Sequence, residues 1–524
     1  MDIEDFKFDD YILEHEINDM VKRLQNYSVN QVFQIFNCLV MTMNFESMNK
    51  SGSEISVKLL NNLFPIYTSN AKDNKDNGNL DLTKEIEFFK KKLSKMYNYY
   101  YDITNYDKYN IEDTFPINNI TGRAFMAYHF DYPHITDYQY IEILRSNINV
   151  LDKRYEKYSL SGEEVISGFG ICIYFEIVCK KDFFAHLNYL KYKLSDKYTF
   201  KGYFTSFPRK LLSSQLNKYG VPGDKFINCF FEQINFSESE NISIVYPIAN
   251  KDKDKPILGI RTKDRVFFPR SYHNYNKLWT DLIESDEMLS IKDDLTQKYT
   301  ARILKSFFGN ENVFEGLYDE NGAEHDIIIL YKDTVLNFEC KSAIFKEPFR
   351  EPSKSIMRLK HNFDRSIQEG YNQCCRLRKR VLSKNAKYYD SDKLNKKLIL
   401  DLNNFNNVLM TVVTLNSYLN LAGSLHMLIK LKENDSTYPW VVDIFSLEHI
   451  VNKCKLEFNK EYFINYLSDR INAYDSVESI AAEELDYFGY YTRYGKFYSL
   501  GKYNAFMTLG PGYASFVLDY LYKS

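Results

Sequence analysis

Apolar positions recur at helical spacing near the start of this chain and at strand-like spacing further on, and that change of period organises it. Ile17, Met20, Val21 and Leu24, then Val32, Ile35, Phe36 and Leu39, each fall at i, i+3, i+4 and i+7. They predict two helices between Glu14 and Asn44, with Ser28 as the cap between them. SNAKDNKDNGNLDL, from Ser69, is polar and turn-rich and reads as a surface loop, after which Thr83 to Tyr101 resumes the helical pattern. From Ser161 to about Arg270 the texture changes. GFGICIYFEIVC (from Gly168), ISIVYPIA (from Ile242) and PILGI with RVFFP (Pro256 to Pro269) predict strands, with DFFAHLNYLKYKL as a helix between the first two. LTQKYTARILKSFFG reads as an amphipathic helix closed by Gly309. Two strands follow, then a long basic segment and a helix from about Phe363 to Val381. NVLMTVVTL, HMLIKL and PWVVDIF predict further strands, the last leading into a helix at Leu447. From about Glu457 the pattern is again helical and rich in tyrosine, and no internal repeat is found.

Length adds a domain count: 524 residues exceed what one core serves, so two or three domains are expected. The expected divisions are 1–285, a mainly helical then mixed accessory region; 286–452, the segment that carries chemistry; and 453–524, a helical region. With 44% hydrophobic and 26% charged residues the chain reads as an ordinary soluble globular protein. Its 44 tyrosines and 39 phenylalanines accompany abundant Asn, Lys and Ile, as a coding bias would produce, and are read mainly as packing. No apolar run is long enough to span a membrane, and the acidic start MDIEDFKFDDYILEHEIND lacks the order of a secretory signal. Eight cysteines contain no CxxC pair, which points away from a zinc ribbon or disulfide framework and toward the cytoplasm. His129 and His134 flank a Tyr-Pro turn at a spacing that is not a metal-ligand pattern. The net charge is only −3, yet Lys341 to Leu400 holds 16 Lys and Arg against 6 Asp and Glu. Phosphate binding needs such a local field more than a high overall charge.

The chemistry concentrates in NGAEHDIIILYKDTVLNFECKSAIF, Asn321 to Phe345. Asp326 opens an apolar, strand-like run to Tyr331, and Lys332-Asp333-Thr334 is a hairpin turn. From Val335 to Lys341 the pattern alternates: Leu336, Phe338 and Cys340 point one way, Asn337, Glu339 and Lys341 the other. A neighbouring antiparallel strand beginning at Asp326 would bring its carboxylate against Glu339 and Lys341. Two carboxylates suit Mg²⁺, which takes oxygen ligands and keeps several waters. An ammonium beside it offsets charge developing on a phosphate. Cys340 would pack inward and leave its backbone carbonyl as a further ligand. His325 is expected on the opposite face, in a structural role.

The pattern Glu324-x-Asp326, then Glu339-Cys340-Lys341-Ser342, resembles the core of the PD-(D/E)XK nuclease superfamily. That resemblance covers about Leu295 to Val451 and implies an α+β, restriction-endonuclease-like mixed sheet flanked by helices. It implies metal-ligand roles for Asp326 and Glu339, a catalytic role for Lys341 and a supporting one for Glu324. SIQEGYNQCCRLRKRV resembles the family's following helix, where a glutamine faces the site; Gln373 fits first and Gln368 second. YPWVVDIFSLEHIV resembles the last core strand and its exit helix. At the first helix many members carry a glutamate, whereas this chain offers Gln297, Lys298 and Tyr299, which puts a second metal ion in doubt.

The resulting expectation is a Mg²⁺-dependent nuclease, with Mn²⁺ as a substitute and DNA preferred to RNA as substrate. Lys346, Arg350, Lys354, Arg358, Lys360, Arg376, Arg378, Lys379 and Arg380 are the candidate phosphate contacts. Family analogy suggests a defence-type effector directed against phage, and no GxxxxGK[ST] loop points to a nucleotide motor. The alternative is a sensing protein that grips nucleic acid without cutting it. A homo-oligomer or partner protein acting through the N-terminal region stays open.

Overall fold

The computed structural model describes residues 10–28, most of 31–39, 80–104, 134–174, 204–233, 258–269, 274–344, 355–433, 437–474, 477–479, 483–497, 507–509 and 512–522. Two compact units emerge, one from 1–103 with 136–288 and the other from 104–135 with 289–524. The architecture is α+β with mixed sheets. No described helix is long and apolar enough to cross a membrane.

In the first unit, helix α1 (Asp10–Leu24) buries the expected stripe of Ile17, Met20, Val21 and Leu24. Ser28 caps the next helical stretch reciprocally: its hydroxyl accepts from Gln31 N at 3.2 Å, and Gln31 Oε1 accepts from Ser28 N at 3.0 Å. Helix α2 (Leu82–Thr104) is tied to α1 by ion pairs from Arg23 to Glu85 at 2.6 Å and from Lys92 to Glu16 at 2.7 Å. Strands β1 (Phe204–Pro208), β2 (Phe231–Gln233), β3 (Gly259–Arg261) and β4 (Arg265–Pro269) form a sheet in the order β1-β4-β3-β2. PILGI and RVFFP therefore supply β3 and β4.

The run from Gly168 is a correction. Residues 162–174 are helical, not a strand. Val165, Ile166, Phe169 and Cys172 are buried at helical spacing, and Ser161 with Glu164 forms the reciprocal cap that starts the helix. The remainder of that run, DFFAHLNYLKYKL, ISIVYPIA, residues 69–79 of the polar loop and His129 lie outside the described residues.

Among the described residues the main sheet of the second unit has seven strands: β5 (Val313–Asp319), β6 (Glu324–Tyr331), β7 (Thr334–Lys341), β8 (Lys387–Tyr389), β9 (Leu398–Asp401), β10 (Asn407–Thr414) and β11 (Trp440–Asp443). Their order is β11-β10-β7-β6-β5-β8-β9. β10 runs parallel to both β7 and β11, and the remaining pairs are antiparallel. Helix α3 (Lys292–Phe308), closed by Gly309 at φ 94°, covers one face. Helix α4 (Ser355–Phe363) continues through a π turn at 364–368 into α5 (Glu369–Leu382), which covers the other. Leu377 and Val381 of α5 pack there with Leu317, Ile328, Val335 and Tyr388. HMLIKL is a second correction: Leu425–Leu428 is a helical turn. Asp443 caps α6 (Ile444–Glu457), which begins three residues before the expected Leu447.

The C-terminal helices α7 (Lys460–Asn472) and α8 (Glu484–Tyr494) are locked to β11 by a buried charge. Glu484 accepts from Trp440 Nε1 at 2.6 Å and pairs with Arg470 at 3.2 Å, while Tyr474 and Tyr487 flank the guanidinium. Arg470→Leu should cost about 3–5 kcal/mol because it strands the Glu484 charge. Replacing both residues by Leu should recover much of that loss. Urea midpoints for the single and double variants decide it; a double variant no better than the single one would contradict the pairing.

Candidate metal centre

The site forms where β6 and β7 stop running side by side. Their ladder extends from Tyr331 opposite Thr334 to Ile327 opposite Phe338 and ends there. Lys341 O accepts from Leu415 N beyond β10, so alternation turns the Cys340 N–H and carbonyl toward β6. In a continued ladder, Cys340 N–H would meet the His325 carbonyl. The Asp326 carboxylate takes that N–H instead, Oδ2 accepting at 2.7 Å. The two strands diverge, and Asp326 fills the seam between them.

The divergence has a local cause. Gly316 of β5 has φ 59°, a left-handed conformation that glycine adopts cheaply. Glu315 opposes Ile327 and Leu317 opposes His325, and no pairing falls between these. Alternation breaks at this point. Phe314 and Leu317, three apart, both pack on the α5 side, as do Ile328 and the His325 ring, which lies edge-on to Tyr388 at 5.5 Å. From α3, Gln297 Nε2 donates to the Asp326 carbonyl at 3.0 Å and secures the displaced strand.

This break overturns the expected orientation of His325. Its Nδ1 lies 2.7 Å from Glu339 Oε1, and both side chains are wholly buried. Asn337 Nδ2 donates to the same oxygen at 3.2 Å. Glu339 Oε2 is buried without a hydrogen-bond partner, as are His325 Nε2, Asn337 Oδ1 and Gln373 Oε1. A buried carboxylate oxygen with no donor costs free energy unless something is meant to meet it. Burial and the neighbouring Glu339 push the Asp326 carboxyl up to about 7, against the opposing pull of Cys340 N–H and Lys341.

Lys341 leaves β7 on the α5 side, with Nζ 3.7 Å from Glu369 at the start of α5. A Cβ at Gly370 would sit 2.8 Å from a Val412 methyl and 3.5 Å from Lys341 Cε, so the bare backbone lets helix, strand and lysine close up. Glu324 is exposed, hydrogen-bonded to Tyr318, and adds to the negative field at Asp326. Gln373 lies on α5 between the sheet-facing Gly370 and Leu377. Gln368 is committed elsewhere, donating to Lys430 O at 3.1 Å and accepting from Lys430 N at 2.8 Å.

Of the candidate phosphate contacts, Lys360, Arg376 and Lys379 are exposed and Arg378 is partly buried. Arg380 is held by Asp319 at 2.9 Å, which makes it a strut for β5. Lys346, Arg350 and Lys354, and the side chain of Arg358, lie outside the described residues.

Asp326, Glu339 and the Cys340 carbonyl form an oxygen-rich donor set with one orphaned buried oxygen, which fits a hard divalent cation such as Mg²⁺. Among the described residues, only His15, Glu16 and Asp19 bring three His, Cys or carboxylate ligand atoms within 4.8 Å of one another. There Lys92 already pairs with both carboxylates and Lys95 with Glu16, so charge is balanced without a metal. Compared with known protein families, curated protein sequences and solved structures, the chain shows no significant match to any of the three.

In metal-free protein the folded state holds the Asp326 proton to higher pH than the unfolded chain does. Stability tied to it is therefore complete below about pH 4 and is lost as pH rises through about 7. Asp326→Asn, which keeps an acceptor for Cys340, should gain on the wild type over that window by a few kcal/mol, since each tenfold difference in proton affinity between the folded and unfolded chain is worth about 1.4 kcal/mol. Denaturation midpoints in EDTA measure this. A difference that does not change between about pH 4 and pH 8 would contradict the strained carboxyl pair.

Proposed function

We propose that the second unit is a divalent-metal-dependent nuclease of the PD-(D/E)XK, restriction-endonuclease-like type that hydrolyses phosphodiester bonds in nucleic acid. The observation that carries this reading is Glu339: fully buried, anchored through one oxygen only, and beside a second carboxylate in an opened strand seam. A structural core gains nothing from two carboxylates that repel each other there. A cation site does.

Asp326 and Glu339 would hold the ion, with the Cys340 carbonyl as a further ligand. When bound, Mg²⁺ supplies Lewis acidity toward a phosphate oxygen and lowers the pKa of a bound water. Lys341, on the same sheet face as Glu339, would orient water and offset charge on the phosphate. Lys360, Arg376 and Lys379 add exposed positive charge that would hold the polynucleotide backbone. Members of that superfamily often carry an acid on the first helix, where this chain offers Gln297, Lys298 and Tyr299; the contact of Gln297 with the Asp326 carbonyl favours a single-metal arrangement.

The test is purified protein with a panel of DNA and RNA substrates in Mg²⁺, Mn²⁺ and EDTA. Cleavage should require metal. Asp326→Ala, Glu339→Ala and Lys341→Ala should each lower it about a hundredfold or more with the fold retained. Wild-type turnover in any of the three, or tight binding with no turnover in either metal, would defeat the proposal.

A further inference from the structure

We infer that His325 is a positioning residue for Glu339: with Asn337 it pins one carboxylate oxygen so that Oε2 alone is presented to a cation. This rests on the metal-dependent reading above and gives a role to two residues that the Asp and Glu-x-Lys pattern leaves blank.

Three observations support it. Both donors converge on a single oxygen, His325 Nδ1 at 2.7 Å and Asn337 Nδ2 at 3.2 Å from Oε1, while Oε2 receives none. Donors serving only to bury a charge would be shared between its two oxygens, since each unmet lone pair costs free energy. His325 also reaches this face only because strand alternation fails between Gly316 and Asp326. An apolar residue in normal alternation would fill a core without that break. Finally, the ring is fixed edge-on to Tyr388, at 82° between planes, and Tyr388 belongs to the core beneath α5. Nδ1 is the ring nitrogen that faces Oε1, so it is the one that donates to the carboxylate. The imidazole is thus a rigid strut whose orientation is set by packing, and it transmits that orientation to Glu339. Partners of this kind orient metal-binding side chains and typically matter ten- to a hundredfold for affinity.

The experiment measures Mn²⁺ binding by calorimetry and by the electron paramagnetic resonance of the bound ion, with thermal stability followed in parallel. In Asn the side-chain nitrogen is bonded to Cγ, as Nδ1 is in His, so His325→Asn keeps a donor in place but leaves a cavity. His325→Leu keeps more of the volume and removes the donor. Positioning predicts that His325→Leu weakens Mn²⁺ binding about ten- to a hundredfold while His325→Asn stays within about threefold. A merely structural role predicts that affinity follows stability, with Leu the milder change. Equal affinities, or Leu binding better than Asn, would overturn the inference. If His325→Leu fails to fold, Asn337→Leu decides: weakened Mn²⁺ binding supports shared positioning, and unchanged binding overturns it. Glu339→Gln is the control. Were the wild type to bind no Mn²⁺ in a Glu339-dependent way, the metal reading would fall first and take this one with it.

Discussion

The second unit depends on one separation: β6 leaves β7 after Ile327 and Phe338, and side chains occupy the place of the missing backbone hydrogen bonds. An unpaired strand end inside a protein has to satisfy its polar groups. Here Asp326 accepts from Cys340 N–H and Gln297 donates to the Asp326 carbonyl. Those two contacts satisfy backbone groups that the ladder defect leaves unpaired, beside the buried Glu339. Gly316, with its left-handed backbone, lets the defect form at that position.

The surroundings keep the opening from spreading. Ile327, Ile329, Leu336 and Phe338 are fully buried in the two strands just before the split. Ile328 and Val335 belong to the core under α5, and Gly370 lets that helix close onto β10 beside Lys341. Strong burial up to the break and polar capping beyond it make the seam a fixed geometry. Such rigidity is what a cation site needs, because ligands that must rearrange on binding weaken it.

Much of this is legible in the sequence. The hairpin of β6 and β7, the α3 helix with its glycine stop, and β10 all follow from periodicity and punctuation. The alternation that sets Asn337, Glu339 and Lys341 on one face also holds throughout β7. The side on which His325 lies is not legible, because counting by twos fails beside Gly316 although the β5 register stays in step, and only the contacts with Glu339 and Tyr388 show the change of face. The Gly168 run misleads for another reason: a continuous apolar stretch suits a buried helix as well as a strand. The deciding signal is Ser161 with Glu164, a capping pair lying just upstream. Strands β8 and β9 are only three and four residues long, KYY and LILD, too short for a pattern to show. Asn337 carries a signal that needs more weight, a polar side chain two residues from Glu339 inside an apolar strand.

Whether the seam between β6 and β7 binds a hard cation is decided most directly by anomalous diffraction from crystals of the protein soaked in Mn²⁺. A peak is expected within coordinating distance of an Asp326 oxygen, Glu339 Oε2 and the Cys340 carbonyl, at about 2.0–2.2 Å for an ion of this kind. A fully formed seam with no peak there, or with Mn²⁺ bound only at other carboxylates, would contradict it.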